Sequence, residues 1–167
     1  MAFLFAKNRL KSIFASCSMI FGSCHMKAIK PDTTIEVRQA VKKDVKNISK
    51  NFRGYVSWVA GFNDELIDNN IENIFVAYDT SSQNILGYCR VSKTTDKNIH
   101  INDLVTLPDA RHRRCGKKLL ELVREKYLDS KIDLTPTKKS IEFYKSRGFV
   151  YDEDTNMCRL DGNVSIS

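Results

Sequence analysis

From Thr34 onward the apolar positions keep two rhythms. Ile35-Glu-Val-Arg-Gln39 alternates apolar and polar residues as a half-buried strand does, and Val41, Val45, Ile48 and Phe52 then recur at the spacing of one helix face. Residues 53–73 read as a loop and a second short helix carrying Tyr55, Trp58, Phe62, Leu66 and Ile67. Residues 74–78 and 85–91 are predicted strands joined by the polar turn 79–84, and 99–106 is a fourth strand. A helix over 117–128, a short strand at 131–134, a helix over about 138–147 and a hairpin of 149–151 with 156–160 follow. The expected order is β-α-α-β-β-β-α-β-α-β-β in a mixed α/β domain, with 163–167 as a loose tail.

The connection between the fourth strand and its helix departs from an ordinary polar loop. Over Leu104-Val-Thr-Leu-Pro-Asp-Ala-Arg-His-Arg-Arg-Cys-Gly-Lys-Lys-Leu-Leu120, the residues Arg111, His112, Arg113, Arg114, Lys117 and Lys118 crowd the start of an amphipathic helix. The first amides of a helix lack intrahelical acceptors and carry partial positive charge, and formal cations at the same place add to it. The natural ligand of such a loop is a polyanion, above all a phosphate. Further on, Ile141 and Tyr144 share a helix face, Lys145 and Arg147 sit at the negative helix end, and Gly148 is placed to supply a left-handed cap.

Two motifs in these segments carry a family resemblance. Pro108-x-x-Arg111-x-x-Arg114-x-Gly116 before an apolar helix resembles the pyrophosphate-binding signature Arg/Gln-x-x-Gly-x-Gly/Ala of the GNAT superfamily, the acetyl-CoA-dependent N-acetyltransferases. Arg111 fills the first position and Gly116 the last, while Arg114 stands where the family usually has glycine; positive φ there would cost roughly 1–2 kcal/mol. Phe143-Tyr144 followed by Gly148-Phe149 is similar to the family's second signature, although Thr137 and Ser140 replace its usual Asn and Ala. The resemblance spans residues 34–160, with its motifs between 101 and 149.

The resemblance implies a GNAT fold, a mixed but mostly antiparallel sheet flanked by helices, and acetyl-CoA as co-substrate. It also implies direct attack of a primary amine on the thioester, with no covalent enzyme intermediate and no metal. Backbone groups of Leu104, Val105 and Thr106 would pair with the pantetheine arm, and the amides of Arg111, His112, Arg113, Arg114, Cys115, Gly116 and Lys117 would hold the pyrophosphate. Tyr144 occupies the place of the family's frequent general acid, and Asp103, preceded by Asn102, is the nearest match to acidic positions that some relatives carry on this strand. His100 and a water chain are the other sources of a base. An ammonium with pKa ~10.4 costs roughly 4.6 kcal/mol to present uncharged at neutral pH, so some proton acceptor is required. The acceptor would lie between residues 53–64, with Tyr55, Trp58 and Phe62, and the acidic turn 151–154; aromatics beside carboxylates suit a cationic amine, and the same aromatics also suit a core.

Composition narrows the alternatives. The 167 residues suit one domain, expected over 32–162, and 42% hydrophobic with 28% charged residues is ordinary globular usage. The net charge of +7 invites a nucleic-acid reading. Five of the seven charges, however, come from Lys7, Arg9, Lys11, Lys27 and Lys30, ahead of the first acid, Asp32, so the remainder is nearly balanced apart from one basic loop. No apolar run of roughly 20 residues is present. Cys17, Cys24, Cys89, Cys115 and Cys158 form no CxxC pair, which suits reduced thiols and a cytoplasmic setting. Cys115, among cations, is the one tempting nucleophile.

Residues 1–31, basic and free of acids, read as a start-site extension ahead of Met26, a transit peptide for organelle import, or a secretory signal ending near Cys24. Two rival functions stay open: a non-catalytic acyl-CoA-binding relative, and a basic protein that associates with nucleic acid.

Overall fold

A computed structural model describes residues 34–52, 71–95 and 97–162. Strands β1 (Ile35–Gln39), β2 (Ile74–Asp79), β3 (Ile85–Thr95), β4 (Asn98–Thr106), β5 (Lys131–Leu134), β6 (Val150–Asp152) and β7 (Met157–Leu160) form one sheet in the order β1-β2-β3-β4-β5-β7-β6. Among the described residues three α-helices accompany it: α1 (Lys42–Phe52), α2 (Cys115–Lys126) and α3 (Ile141–Lys145). Every neighbouring pair is antiparallel except β4 and β5, which α2 joins as a parallel crossover. The sheet is therefore mixed and mostly antiparallel, as expected; the second helix read within 53–73 falls mostly outside the described residues, apart from a 3-10 turn at Ile71–Asn73.

Alternation along the strands assigns the two sheet faces. Phe75, Ala77, Cys89, Val91, Ile99, Ile101, Ile132, Leu134, Cys158 and Leu160 share one core with Leu119, Leu120 and Val123 of α2 and Tyr144 of α3. Ile74, Val76, Ile85 and Tyr88 point the other way, onto Val45, Ile48 and Phe52 of α1. Val41 breaks the expected stripe: it precedes α1 and is 43% exposed, and its amide is held by Asp44 at 2.9 Å.

One irregularity matters for function. Arg90 pairs with Asp103 and Val91 with Ile101, so Asn102 is an extra residue in β4. This bulge lets Ile101 and Leu104, three apart, both face the larger core, where strict alternation would have turned one of them away. At Gly87, opposite Thr106, a Cβ would come within 2.8 Å of the Val105 carbonyl oxygen, so the close approach of β3 to the end of β4 requires glycine.

Candidate active site

β4 and β5 hydrogen-bond through only three rungs, Asn98 with Lys131, Ile99 with Ile132 and His100 with Asp133. Beyond them β4 continues to Thr106 beside β3, while β5 ends at Leu134. The sheet is thus split in its interior, and over residues 101–106 the β5-facing edge of β4 has no strand partner among the described residues. An extended ligand carrying amide groups can pair with such an edge as a strand would.

The split opens into a cleft of about 380 Å³ lined by Leu104 and Thr106 from β4, by Arg111, His112, Arg114, Gly116 and Lys117, and by Ser140, Phe143, Tyr144 and Arg147 around α3. The basic loop reaches it through a 3-10 segment, Pro108–Arg113, followed by Arg114 at φ 60° and ψ 15°. That left-handed residue starts α2, and its carbonyl accepts from Lys118 N–H at 3.0 Å. The amides of Cys115, Gly116 and Lys117 therefore precede the first helical bond, with Arg111, His112, Arg114 and Lys117 around them. A diphosphate fits this donor set by charge and by hydrogen bonding.

Not every cation of the loop faces the cleft. Arg113 turns to Asp79 at 3.1 Å, whose carboxylate also caps the β2–β3 turn through Ser81 and Ser82 N–H. Lys118 donates to the Ile35 carbonyl at 2.6 Å, fastening α2 to β1. Cys115 is fully buried; burial raises its thiol pKa against the opposing pull of Arg113 and Lys118, so it is a packing residue and no nucleophile. Val105 packs on the α1 side of the sheet, leaving only its backbone for the open edge.

Tyr144 reaches the cleft from α3 with 6% of its surface exposed, edge-on to Phe143 and Phe149 at centroid distances of 5.1 and 5.6 Å. Burial pushes its phenol well above the usual tyrosine range, reinforced by the nearby Cys89 and Cys158 thiols, so it holds its proton at neutral pH. Gly148 at φ +85° ends this helical segment in the left-handed conformation. Arg147 completes the wall: its guanidinium lies 3.7 Å from the Phe143 ring centroid and donates to the Phe143 carbonyl, and burial lowers its pKa.

Asp103 and His100 lie outside the cleft lining. Asp103 accepts from Arg90 Nε at 2.7 Å and its side chain is 8% exposed, so the pair straps β3 to β4 at the bulge. His100 donates or accepts through Nδ1 with Asp133 on β5. In the acidic turn, Asp152 holds its own loop through Asp154 N–H and pairs with Arg159 at 3.0 Å. Tyr55, Trp58 and Phe62 fall outside the described residues.

Eight of the twelve site residues expected from sequence thus line one cleft: Leu104, Thr106, Arg111, His112, Arg114, Gly116, Lys117 and Tyr144. Ser140, Phe143 and Arg147 join them without having been expected, although all three lie inside the second motif, where their spacing from Tyr144 was the available signal. Among the described residues no group of three His, Cys, Asp or Glu gathers as a metal site, and no helix is long and apolar enough to cross a membrane.

Residues 70–151 match the family model described as an acetyltransferase (GNAT) domain. The chain belongs to the GNAT superfamily. No curated protein sequence matches it. Among solved structures, the GNAT fold is shared with N-acetylglutamate synthase from Neisseria gonorrhoeae complexed with coenzyme A and L-arginine, at a TM-score of 0.63 and 16% identity over 78% of this chain and 34% of that one. The chain therefore spans about a third of that enzyme's length. It also resembles the PaiA N-acetyltransferase of Thermoplasma acidophilum in complex with coenzyme A, at TM-score 0.59 and 16% identity over 75% and 96% of the two chains. A GNAT-family acetyltransferase of Staphylococcus aureus Mu50 gives 0.58 and 18% over 75% and 98%. The chain's departure from the family signature has a measurable geometry: Arg114 adopts the left-handed conformation for which the usual glycine is suited.

Proposed function

We propose that this GNAT domain transfers the acetyl group of acetyl-CoA to a primary amine by direct attack. The observation that supports this most is the continuity of the cationic helix start with the interior split of the sheet, with Tyr144 on its wall. In this reading the amides of residues 111–117 hold the pyrophosphate, and backbone groups of Leu104, Val105 and Thr106 pair with the pantetheine arm. That pairing fixes the thioester against the open edge and limits its freedom before attack. Tyr144, kept protonated by burial, gives its phenolic proton to the departing sulfur.

Asp103, bound to Arg90, serves as a strut between β3 and β4, which leaves the proton acceptor to another group. Glu153 and Asp154, exposed on the 151–154 turn, are placed to attract a cationic acceptor, and the buried free thiols Cys89, Cys115 and Cys158 suit a cytoplasmic setting.

Titration of the full chain with CoA and with dephospho-CoA, followed by thiol release from acetyl-CoA across a panel of primary amines, tests the proposal. Micromolar-range CoA binding that weakens with added salt, together with amine-dependent thiol release, is expected. CoA binding without release would leave the acyl-CoA-binding alternative. Salt-dependent DNA binding indifferent to CoA, with no CoA binding, would turn the reading to nucleic acid.

A further inference from the structure

We propose that His100, oriented by Asp133, is the group that takes the proton from the attacking amine; the inference rests on the acetyltransfer reading and names a residue for it. His100 and Asp133 form the last rung that joins β4 to β5 before the sheet splits. Ile99, Ile101, Ile132 and Leu134 all face the larger core, so alternation turns His100 and Asp133 together to the opposite sheet face. The two side chains meet through His100 Nδ1 and Asp133 Oδ1, each 27% exposed, at the apex of the split.

The pairing fixes the chemistry of the ring. An ionised carboxylate has lone pairs and no proton to give, so Nδ1 carries the hydrogen and donates it to Asp133. In the neutral imidazole the remaining lone pair is then on Nε2, for which the described residues supply no hydrogen-bond partner. Nε2 is then the ring's proton acceptor, carried on the last rung before the split. Among the described residues the groups around it are few. Ser92 flanks His100 on β3; Arg159 of β7 is opposite Asp133 and is itself paired with Asp152; and the Arg90–Asp103 pair lies further along the same face.

Direction along β4 connects this dyad to the cofactor reading. The helix start at 111–117 lies past the C-terminal end of β4, and residues 104–106 precede it, so a ligand anchored there and extended along the open edge points its far end toward residue 100. Asp103 is nearer in sequence, but its carboxylate is held by Arg90. In the balanced step, one ammonium proton passes to His100 Nε2 and on to solvent, freeing the nitrogen lone pair to form the C–N bond. The C–S bond breaks with its electron pair leaving on sulfur, which takes the Tyr144 proton. The second proton, lost from nitrogen as the amide forms, restores the Tyr144 phenol.

The test compares the full wild-type chain with His100→Gln and Asp133→Asn in acetyl-CoA turnover against an aliphatic primary amine, cationic at pH 7, and against hydroxylamine, which is largely uncharged there. His100→Gln is expected to lower kcat/KM for the aliphatic amine by about 10²-fold or more at pH 7. The deficit should shrink as pH rises, and turnover of hydroxylamine and CoA affinity should stay near wild type. Asp133→Asn should lower kcat/KM for the aliphatic amine by a smaller factor, with CoA affinity and hydroxylamine turnover near wild type. A His100→Gln profile superimposable on wild type, or equal losses with both nucleophiles, overturns the assignment.

Nitrogen-15 NMR of the wild-type histidines reads the tautomer without any variant, and an Nε2–H tautomer at His100 also overturns it. Failure of the wild type to bind CoA sinks the cofactor reading itself. CoA binding with no turnover of any amine leaves that reading standing and removes the dyad's role.

Discussion

Arg114 concentrates the local physics of the basic loop. Its backbone sits at φ 60° and ψ 15°, which a side chain makes costly, yet its guanidinium lines the cleft at the point where negative charge is expected. Arg114→Gly should leave thermal stability unchanged or raise it by up to about 1 kcal/mol, because relief of the strain is partly offset by the greater freedom of glycine in the unfolded chain. CoA affinity should fall several-fold in the same variant, with a shallower salt dependence by calorimetry; a variant that binds as tightly as wild type would show that only the backbone of residue 114 matters. Tyr144 makes the complementary case, since Tyr144→Phe keeps the buried ring and removes only the hydroxyl. Turnover should drop by roughly 10²-fold while CoA affinity and melting temperature hold, and unchanged turnover would return the ring to packing between Phe143 and Phe149.

At the scale of elements, α1 depends on a device at its start. Asp44 is buried; its Oδ2 accepts from Val41 N–H, and both its oxygens engage Arg38 of β1 at 2.5 and 3.0 Å, coupling strand to helix. Burial pushes the Asp44 pKa up, but the Arg38 and Val41 hydrogen bonds outweigh it and the net shift is downward. A carboxyl depressed in the folded state stabilises above its unfolded pKa of ~3.9 and loses that contribution as pH falls through the lower folded value. Asp44→Asn should therefore cost about 1–2 kcal/mol in urea unfolding at pH 7, at the low end of charged hydrogen bonds because Arg38 is partly exposed. The difference from wild type should narrow in acid, below about pH 4; a gap that persists there would mean the loss is one of packing.

The elements also show what a sequence can and cannot display. Strands and helices were legible because each has an apolar rhythm of its own. Boundaries slipped where backbone geometry intervenes: α2 begins at Cys115, ahead of the expected 117, because left-handed Arg114 initiates it. The segment read as one helix over 138–147 is a 3-10 turn, Lys138–Ser140, closed by reciprocal Thr137–Ser140 bonds, followed by the five-residue α3. The bulge at Asn102 and the rung joining His100 to Asp133 depend on which strand lies alongside, which no local pattern records. The basic loop was legible because its cations are contiguous, whereas the His100–Asp133 pairing, 33 residues apart in the chain, was not.

For the whole molecule, the split between β4 and β5 means that the sheet is incomplete along one inner edge, and a ligand that pairs there adds to the fold as well as to the site. Binding confined to the folded state stabilises by about 2.7 kcal/mol at a ligand concentration near 100 times Kd, which for a chain of this length is roughly 5–10 °C in melting temperature. CoA should produce that rise, and dephospho-CoA a comparable one when compared at equal saturation. The same titration places the domain boundary. If residues 32–162 hold every element needed for folding and cofactor binding, a chain starting at Met26 should melt within a few degrees of the full-length protein and gain the same increment from CoA. A shortened chain that melts well below, or that folds yet gains nothing from CoA, would place part of the domain or of its cofactor site within residues 1–25.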